Sequence, residues 1–253
     1  MIYFVIPVYN EAARVGRLIE GIAGVCRALG EQYRIIAVDD GSVDGSAEII
    51  EKRPEKENIR LIRFKENRGI GTVIRVGFLN ASNSAADDDP IVFIESDGSN
   101  DPETIVPMLA KFKAGADVIT ASRYIDGGSC VGFPPLRSRV SRAANYLLHA
   151  GFPLPNTTDY TYFFKMYRAS IIKHALKHYG DDLLSCAGFS ANSEFFIKTC
   201  LFTDQYAQVP TVYTFSRQDS DSKFNPKKEI KDFIFLFRVC RHAIQDYVVI
   251  NAE

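Results

Sequence analysis

Apolar and polar positions along this chain follow two rhythms. Short runs rich in β-branched and aromatic residues at 2–8, 34–38, 59–64, 91–95 and 117–121 predict strands. Between them, apolar residues spaced three and four apart over 12–29, 44–53, 69–82 and 102–113 predict helices. Regular alternation of this kind implies an α/β fold with a mostly parallel sheet covered by helices on both faces. Beyond Ser122 the rhythm loosens. Gly127-Gly128, Gly132 and Pro134-Pro135 mark 124–136 as a mobile loop. A helix over 136–151, a strand at 160–167, helices near 169–179 and 191–202 and a strand at 206–214 follow. A polar loop at 216–226 then precedes a final helix at 227–250. The charged stretches 51–60 and 86–90 read as solvated connections.

The apolar content is sufficient for one large core, so the 253 residues are read as a single domain. A formal charge of −1 and a pI near 6.4 supply no overall basic field, which argues against nucleic acid as a partner and requires any anion site to be local. Five scattered cysteines without a C-x-x-C pair fit neither a disulfide framework nor a zinc knuckle, and suggest a reducing, cytoplasmic setting. Met1 runs directly into the strand-like Ile2–Ile6 without a charged leader, and no apolar run reaches the roughly 18 residues of a membrane span.

Candidate chemistry gathers where the predicted strands end. The first finishes in Pro7-Val8-Tyr9-Asn10-Glu11, the second in Asp39-Asp40-Gly41-Ser42, the fourth in Glu95-Ser96-Asp97 and the fifth in Ser122-Arg123-Tyr124. Ligands of open α/β sheets bind outside these carboxyl ends. Each residue alone has a structural explanation, as a cap, a turn or a surface cation; convergence of four strand ends is harder to explain that way. No G-x-G-x-x-G follows the first strand and no P-loop is present. A nucleotide would therefore need carboxylates for its base and ribose and a cation for its diphosphate, functions open to Asp39, Asp40 and Asp97. Asp101, Pro102 and Glu103 read as a helix cap and first turn. His174 and His178 lack a third ligand and read as surface residues.

Ile6-Pro7-Val8-Tyr9-Asn10-Glu11, Val38 through Ser46 and Asn67-Arg68-Gly69-Ile70-Gly71 resemble the opening of family 2 glycosyltransferases of the GT-A fold, and Glu95-Ser96-Asp97 falls where that family carries D-x-D. Similarity continues through Ala121–Tyr124, Gly127-Gly128, Pro134–Arg137, Asp159–Thr161 and Phe215–Arg217 to Ser222-Lys223, and within the family it points to the dolichol-phosphate (polyprenyl-phosphate) mannose or glucose synthases. The resemblance implies a nucleotide-sugar half over 1–122, an acceptor half with a mixed sheet over 123–226, and a C-terminal amphipathic helix over 227–253. It implies a nucleotide-sugar site formed by Pro7, Tyr9, Glu11, Asp39, Asp40, Ser96 and Asp97. A Mg²⁺ or Mn²⁺ ion would be held by Asp97, with Glu95 and Ser99 beside it. Arg123, Arg137, Arg217 and Lys223 would handle the acceptor phosphate or the donor diphosphate, with Asp97, Arg123, Arg217 and Lys223 acting in catalysis.

The implied reaction is inverting transfer of a hexose from a GDP- or UDP-sugar to a polyprenyl or dolichyl phosphate. Three positions depart from the family pattern: Glu95 replaces an aspartate, Ser99 stands where glutamine is common, and Phe163 stands where glycine is common. Glu194 matches an often acidic position and reads either as a substrate-orienting group or as half of an ion pair. The basic and aromatic segment from Lys227 to Arg238 reads either as a helix packed on the core or as a peripheral contact with an anionic membrane. Two rival functions are a nucleotidyltransferase, which Asn10-Glu11-Ala12-Ala13 does not favour, and a non-catalytic sugar-nucleotide-binding module. Transfer to a glycan hydroxyl is a further alternative.

Overall fold

The computed structural model describes residues 1–186, 188–215 and 226–250, with the side chains of the last helix described over 231–245. Strands β1 (Ile2–Val8), β2 (Tyr33–Asp39), β3 (Ile59–Arg63), β4 (Pro90–Phe93) and β5 (Val118–Ser122) alternate with helices α1 (Val15–Leu29), α2 (Ser46–Glu51), α3 (Ile70–Ser84) and α4 (Ile105–Lys113). Then come β6 (Ser129–Val131), α5 (Pro135–Gly151), β7 (Lys165–Arg168), α6 (Ala169–Tyr179), α7 (Ser190–Cys200), β8 (Tyr206–Pro210), β9 (Val212–Thr214) and α8 (Pro226–Ile250). The main sheet has seven strands in the order β3-β2-β1-β4-β7-β5-β8. All pairings are parallel except those of β7, which runs antiparallel between β4 and β5. Two strands from beyond Ser122 thus belong to the main sheet.

Period-two alternation sends successive side chains of a strand to opposite faces, and here both faces are apolar. Tyr3 and Val5 of β1 join Ile36, Val38, Phe78, Phe93 and Phe195 on one face. Phe4 and Ile6 join Ile19, Ile35, Val92 and Met108 on the other. Phe78 anchors the first cluster, stacking on Phe195 at 4.2 Å and on Phe93 at 5.7 Å between ring centroids. Phe163 lies in the same cluster, 5.7 Å from Phe93, so its ring is absorbed by the core.

Several element bounds differ from the sequence expectation for identifiable reasons. The first helix begins at Val15 rather than 12, because Arg14 and Val15 donate their amides to the Glu11 carbonyl in a preceding turn. The fourth begins as a 3₁₀ turn, Pro102–Thr104, with Asp101 accepting from the Glu103 amide as a cap. The strand expected at 160–167 starts only at Lys165, since side chains satisfy the preceding amides: Asn145 Oδ1 accepts from Tyr160 and Thr161, and Asp159 Oδ1 from Tyr162. The strand expected at 206–214 breaks at Thr211, whose amide makes the last bond of the β5–β8 ladder, to the Ser122 carbonyl, and whose own carbonyl accepts from the Ser129 amide as the chain passes to the second sheet. Its second part, β9, pairs in parallel with β6, which anchors the segment expected to be a mobile loop. The loop expected at 216–226 lies almost wholly outside the described residues.

On α8, Leu236, Cys240 and Ala243 are buried and Phe233 and Phe237 pack beside them, as a core helix requires, while Ile234 and Phe235 face outward. All five cysteines are free. Among the described residues no helix is long and apolar enough to cross a membrane.

Lys165 is the buried group that the strand pattern conceals. It sits in register between Phe93 and Thr120, fully buried, with its ammonium 4.8 Å from the Phe196 ring centroid and donating to the Tyr160 and Tyr162 carbonyls. Burial pushes its pKa down to about 7, against the opposing pull of Asp159. In the unfolded chain a lysine titrates near 10.4. The buried charge therefore destabilises the fold fully below pH 7, and the penalty is relieved as pH rises from about 7 towards 10. Lys165→Met should flatten that rise, making the variant's stability advantage larger at pH 6 than at pH 9; urea unfolding at the two values measures it.

Candidate active site

The carboxyl ends of β1, β2 and β4 are laced together by side chains acting on backbone. At the β1 end, Asn10 adopts a left-handed conformation (φ 56°) and exchanges hydrogen bonds with the β2 loop: its amide donates to Ser42 Oγ at 2.9 Å and its Oδ1 accepts from the Val43 amide at 3.0 Å. Ser46 Oγ accepts from the Glu11 amide and Asp44 from the Ala12 amide. At the β4 end, Ser96 donates its hydroxyl to the Pro7 carbonyl at 2.6 Å, tying the two neighbouring turns at the point where the ladder between β1 and β4 stops. The four strand ends singled out in the sequence therefore lie at the same edge of the sheet, three of them on adjacent strands.

Asp40 and Asp39 separate into different roles. Asp40 accepts from the Arg68 amide at 2.7 Å and the Gly69 amide at 3.0 Å, so it holds the loop before α3 in place. Gly41 permits that approach: it has φ 78°, and a Cβ there would lie 2.6 Å from the Glu66 carbonyl carbon. Asp39 is 1% exposed; its Oδ1 accepts from the Ser42 amide, while Oδ2 has no hydrogen-bond partner and faces Arg63 Nε at 3.6 Å. A buried carboxylate oxygen without a hydrogen bond is costly. Tyr9 is exposed at the rim, and Pro7 and Glu11 are half-buried. Glu11 pairs with Arg14 at 2.7 Å, and Arg14 also lies against Gly98, beside Asp97.

Around Asp97 the turn is held by its own side chains. Asp97 Oδ1 accepts from the Ser99 amide at 2.9 Å and the Ser99 hydroxyl at 2.5 Å. Asn100 donates to Ser99 Oγ and to the Glu95 carbonyl, and its Oδ1 accepts from the Tyr162 hydroxyl at 2.7 Å. Ser99 thus serves Asp97 as a hydrogen-bond donor. Burial, together with the neighbouring Asp97, pushes the Glu95 carboxyl well above the usual carboxylate range.

Among the described residues no group of three or more histidine, cysteine or acidic side chains forms a closed metal cage. Two carboxylates one residue apart, half-buried at the end of a strand, fit instead the kind of Mg²⁺ or Mn²⁺ site that is completed by substrate phosphates.

The cations divide as sharply as the acids. Arg123 is buried in a bidentate pair with Asp159: Nε and Nη2 each lie 2.8 Å from a carboxylate oxygen, and Nη2 also reaches Thr161 Oγ1 at 3.1 Å. Its guanidinium carbon stands 4.8 Å from the Tyr162 ring centroid and 5.0 Å from that of Tyr124. Burial alone would raise the Asp159 pKa, but the Arg123 charge, the hydrogen bonds Arg123 donates and the Lys165 charge together outweigh it and hold the carboxyl below the usual range. Arg137, at the start of α5, lies over the rings of Phe133 and Phe215. Arg217 and Lys223 lie outside the described residues.

Glu194 is fully buried, accepting from the Ser185 and Cys186 amides and pairing with Lys198 at 2.6 Å, which is the ion-pair role of the two considered for it. Sequence reasoning missed Arg14, Asn100 and Lys165. Only Arg14 carried a local signal, its three-residue spacing from Glu11 at the helix start.

Removing one partner of a buried pair strands the other charge, so Asp159→Asn should cost about 3–5 kcal/mol at pH 7. Arg123→Met combined with it should recover much of that loss. Because the Asp159 pKa is depressed, the pair's contribution is present at neutral pH and disappears as pH falls through that low value. Urea unfolding of the single and double variants at pH 7 and at about pH 2, below the unfolded carboxylate value, checks both.

Comparison with known proteins places this architecture. Residues 3–176 match the family described as "Glycosyl transferase family 2". The undecaprenyl-phosphate 4-deoxy-4-formamido-L-arabinose transferase of Edwardsiella ictaluri is 32% identical over 174 residues, covering 68% of this chain and 50% of the relative. The protein of the same name from Salmonella paratyphi A is 30% identical over 229 residues, covering 87% of this chain and 62% of the relative. The chain therefore spans about half to three fifths of the length of these curated relatives. Among solved structures, glucosyl-3-phosphoglycerate synthase of Mycobacterium tuberculosis, in complex with Mn²⁺, UDP and glucosyl-3-phosphoglycerate, superposes with a TM-score of 0.63 at 17% identity, covering 98% of this chain and 79% of that one. TarS of S. aureus in complex with UDP gives 0.60 at 18% identity, covering 96% and 65%. These likenesses establish the GT-A fold. With the family pattern matched across more than half its length, the chain belongs to glycosyl transferase family 2.

Proposed function

We propose that this chain transfers a glycosyl group from a nucleoside-diphosphate sugar to a polyprenyl phosphate, with inversion at the anomeric carbon, at the cytoplasmic side of a membrane. The observation that carries the donor half is Asp39: a buried carboxylate oxygen without a hydrogen bond, at the strand end where open α/β sheets take ligands. The N–H of a pyrimidine or purine ring, or a ribose hydroxyl, would satisfy it. Asp40 supports the same pocket from behind by fixing the loop 66–69, and Pro7, Tyr9, Glu11 and Ser96 complete its walls. The acceptor half rests on the relatives, whose names specify undecaprenyl phosphate. Their sugar is a pentose derivative, so the proposal extends to a glycosyl group in general where the sequence suggested a hexose.

A divalent cation, Mg²⁺ or Mn²⁺, held by Asp97 with Glu95 beside it, would neutralise the donor diphosphate and stabilise it as a leaving group. The remaining work falls to the chain's own residues. An acceptor phosphate oxygen is already anionic near neutral pH, so attack on the anomeric carbon needs no strong general base. The new bond forms between that oxygen and the anomeric carbon, as the bond from the carbon to the departing diphosphate oxygen breaks. Positioning then dominates. We assign Arg137 to phosphate recognition, with Arg217 and Lys223 as its partners on sequence grounds. Arg123, already committed to Asp159, orders the 159–162 segment at the acceptor end, acting as a positioning residue.

Asp97→Asn keeps an oxygen to accept from Ser99, so the turn and the melting temperature should be retained. Turnover should fall about a thousandfold or more, as expected when several kcal/mol of charge stabilisation is lost. Asp39→Asn should weaken nucleotide binding about ten- to a hundredfold, the effect of losing one charge-assisted hydrogen bond. Calorimetry with UDP- and GDP-sugars, with and without Mn²⁺, followed by transfer to a polyprenyl phosphate, measures both. Full activity in Asp97→Asn refutes the metal assignment, and nucleotide binding without transfer to any lipid or glycan acceptor favours a binding module.

A further inference from the structure

An unbroken line of side-chain hydrogen bonds runs from the 159–162 segment to the turn around Asp97. The Tyr162 hydroxyl meets Asn100 Oδ1 at 2.7 Å, Asn100 Nδ2 meets Ser99 Oγ at 3.1 Å, and Ser99 Oγ meets Asp97 Oδ1 at 2.5 Å. Chemistry fixes the direction of every bond. Asn100 Nδ2 also faces the Glu95 carbonyl at 3.3 Å, and a carbonyl can only accept, so the amide cannot be turned round. Its Oδ1 therefore accepts and the tyrosine donates. Ser99 Oγ receives the Asn100 amide hydrogen, which leaves its own hydrogen for the ionised Asp97, an acceptor only. All three bonds point towards the carboxylate. Bonds aligned in this way polarise one another, and the last is assisted by charge.

Tyr162, at the far end of the line, is 2% exposed and held at each of its other groups. Its amide donates to Asp159 Oδ1 at 3.2 Å, and its carbonyl accepts from Asn192 Nδ2 at 3.2 Å and from the Lys165 ammonium. Its ring packs edge-on against Tyr213, with 5.6 Å between centroids, and lies 4.8 Å from the Arg123 guanidinium carbon. Thr214, the residue after Tyr213, donates its amide to the Ser99 carbonyl at 3.3 Å, so the Asp97 turn is held from two sides. We infer that Tyr162 is a positioning residue for the metal: its hydroxyl, acting through Asn100 and Ser99, sets the orientation in which Asp97 presents its carboxylate to the cation. The role rests on the metal assignment proposed above. Groups hydrogen-bonded behind a metal ligand fix its orientation, and a carboxylate released from them binds the cation less tightly. Phenylalanine at 162 would fill the same space and keep the ring contacts with Tyr213 and Arg123, so the hydroxyl can be tested apart from the packing.

Calorimetry with UDP and GDP, in EDTA and then in excess Mn²⁺, reads the factor by which the cation tightens nucleotide binding. Tyr162→Phe should reduce that factor about tenfold. Affinity in EDTA should be unchanged, because the Asp39 pocket is formed at the end of β2. Asn100→Ala, with Tyr162 intact, should give a similar loss. Tyr162→Phe combined with Ser99→Ala should reduce the Mn²⁺ factor little more than Ser99→Ala alone, since both substitutions break one line. An unchanged Mn²⁺ factor in Tyr162→Phe, or losses that multiply in the double variant, overturns this inference alone. A fall in nucleotide affinity that is equal with and without Mn²⁺ overturns it in favour of a general structural role. No tightening by Mn²⁺ in the unaltered chain overturns the metal assignment and this inference together.

Discussion

Burial of the central sheet on both faces is the constraint from which the rest of this molecule follows. β1, β2 and β4 present apolar side chains to α3 and α7 on one side and to α1 and α4 on the other, so polar side chains meet solvent chiefly where the strands end. Parallel pairing then gathers those ends at one edge. The site owes its existence to this: Tyr9, Asp39 and Asp97 are distant in sequence, yet leave neighbouring strands in the same direction. Each turn has backbone amides that the ladder no longer serves, and short polar side chains take them up. Asn10, Ser42, Asp44 and Ser46 do so between β1 and β2, while between β4 and β1 Ser96 serves a carbonyl instead, donating its hydroxyl to Pro7.

That economy explains why the acidic residues divide as they do. A carboxylate at a strand end can hold a loop or face a ligand, and its two oxygens can do both. Asp40 spends both oxygens on the loop before α3. Asp97 applies Oδ1 to the Ser99 turn, and Asp39 applies Oδ1 to Ser42 while Oδ2 has no hydrogen bond. Arg123 shows the same logic with opposite charge. A guanidinium buried against tyrosine rings requires a carboxylate at bonding distance, and Asp159 meets it from 36 residues away.

Much of this was legible in the sequence, because the signals were local. Short apolar runs rich in β-branched and aromatic residues located β1 to β5, and the residues following them located the site edge. The Asp101-Pro102-Glu103 cap was readable from three consecutive residues. What could not be read depends on long-range partners. Lys165 looks like an ordinary strand residue until β7 is known to run antiparallel between β4 and β5, which turns an apparent edge position into the centre of the sheet. The segment 160–164 has strand composition, but Asn145 and Asp159 compete for its amides and win. Residues 206–214 read as one strand because apolar pattern carries no information about which sheet a residue joins. Thr211 divides it, its amide bonding Ser122 of the main sheet and its carbonyl accepting from Ser129 of the second.

α5 links the buried Arg123–Asp159 pair and Arg137 through one element. On its inner side Asn145 accepts from the amides of Tyr160 and Thr161 and donates to Thr161 Oγ1, and that segment is continuous with Asp159 and therefore with Arg123. Its first turn carries Arg137, which lies over the rings of Phe133 and Phe215, and Phe215 leads directly into the segment that bears Arg217 and Lys223. A displacement of α5 would thus shift the buried pair and Arg137, the arginine proposed for phosphate recognition, together. The buried pair resists such displacement, since Arg123 bonds both Asp159 oxygens and also Thr161, which Asn145 of α5 holds from the other side. The helix is therefore fixed to the candidate site by its polar face.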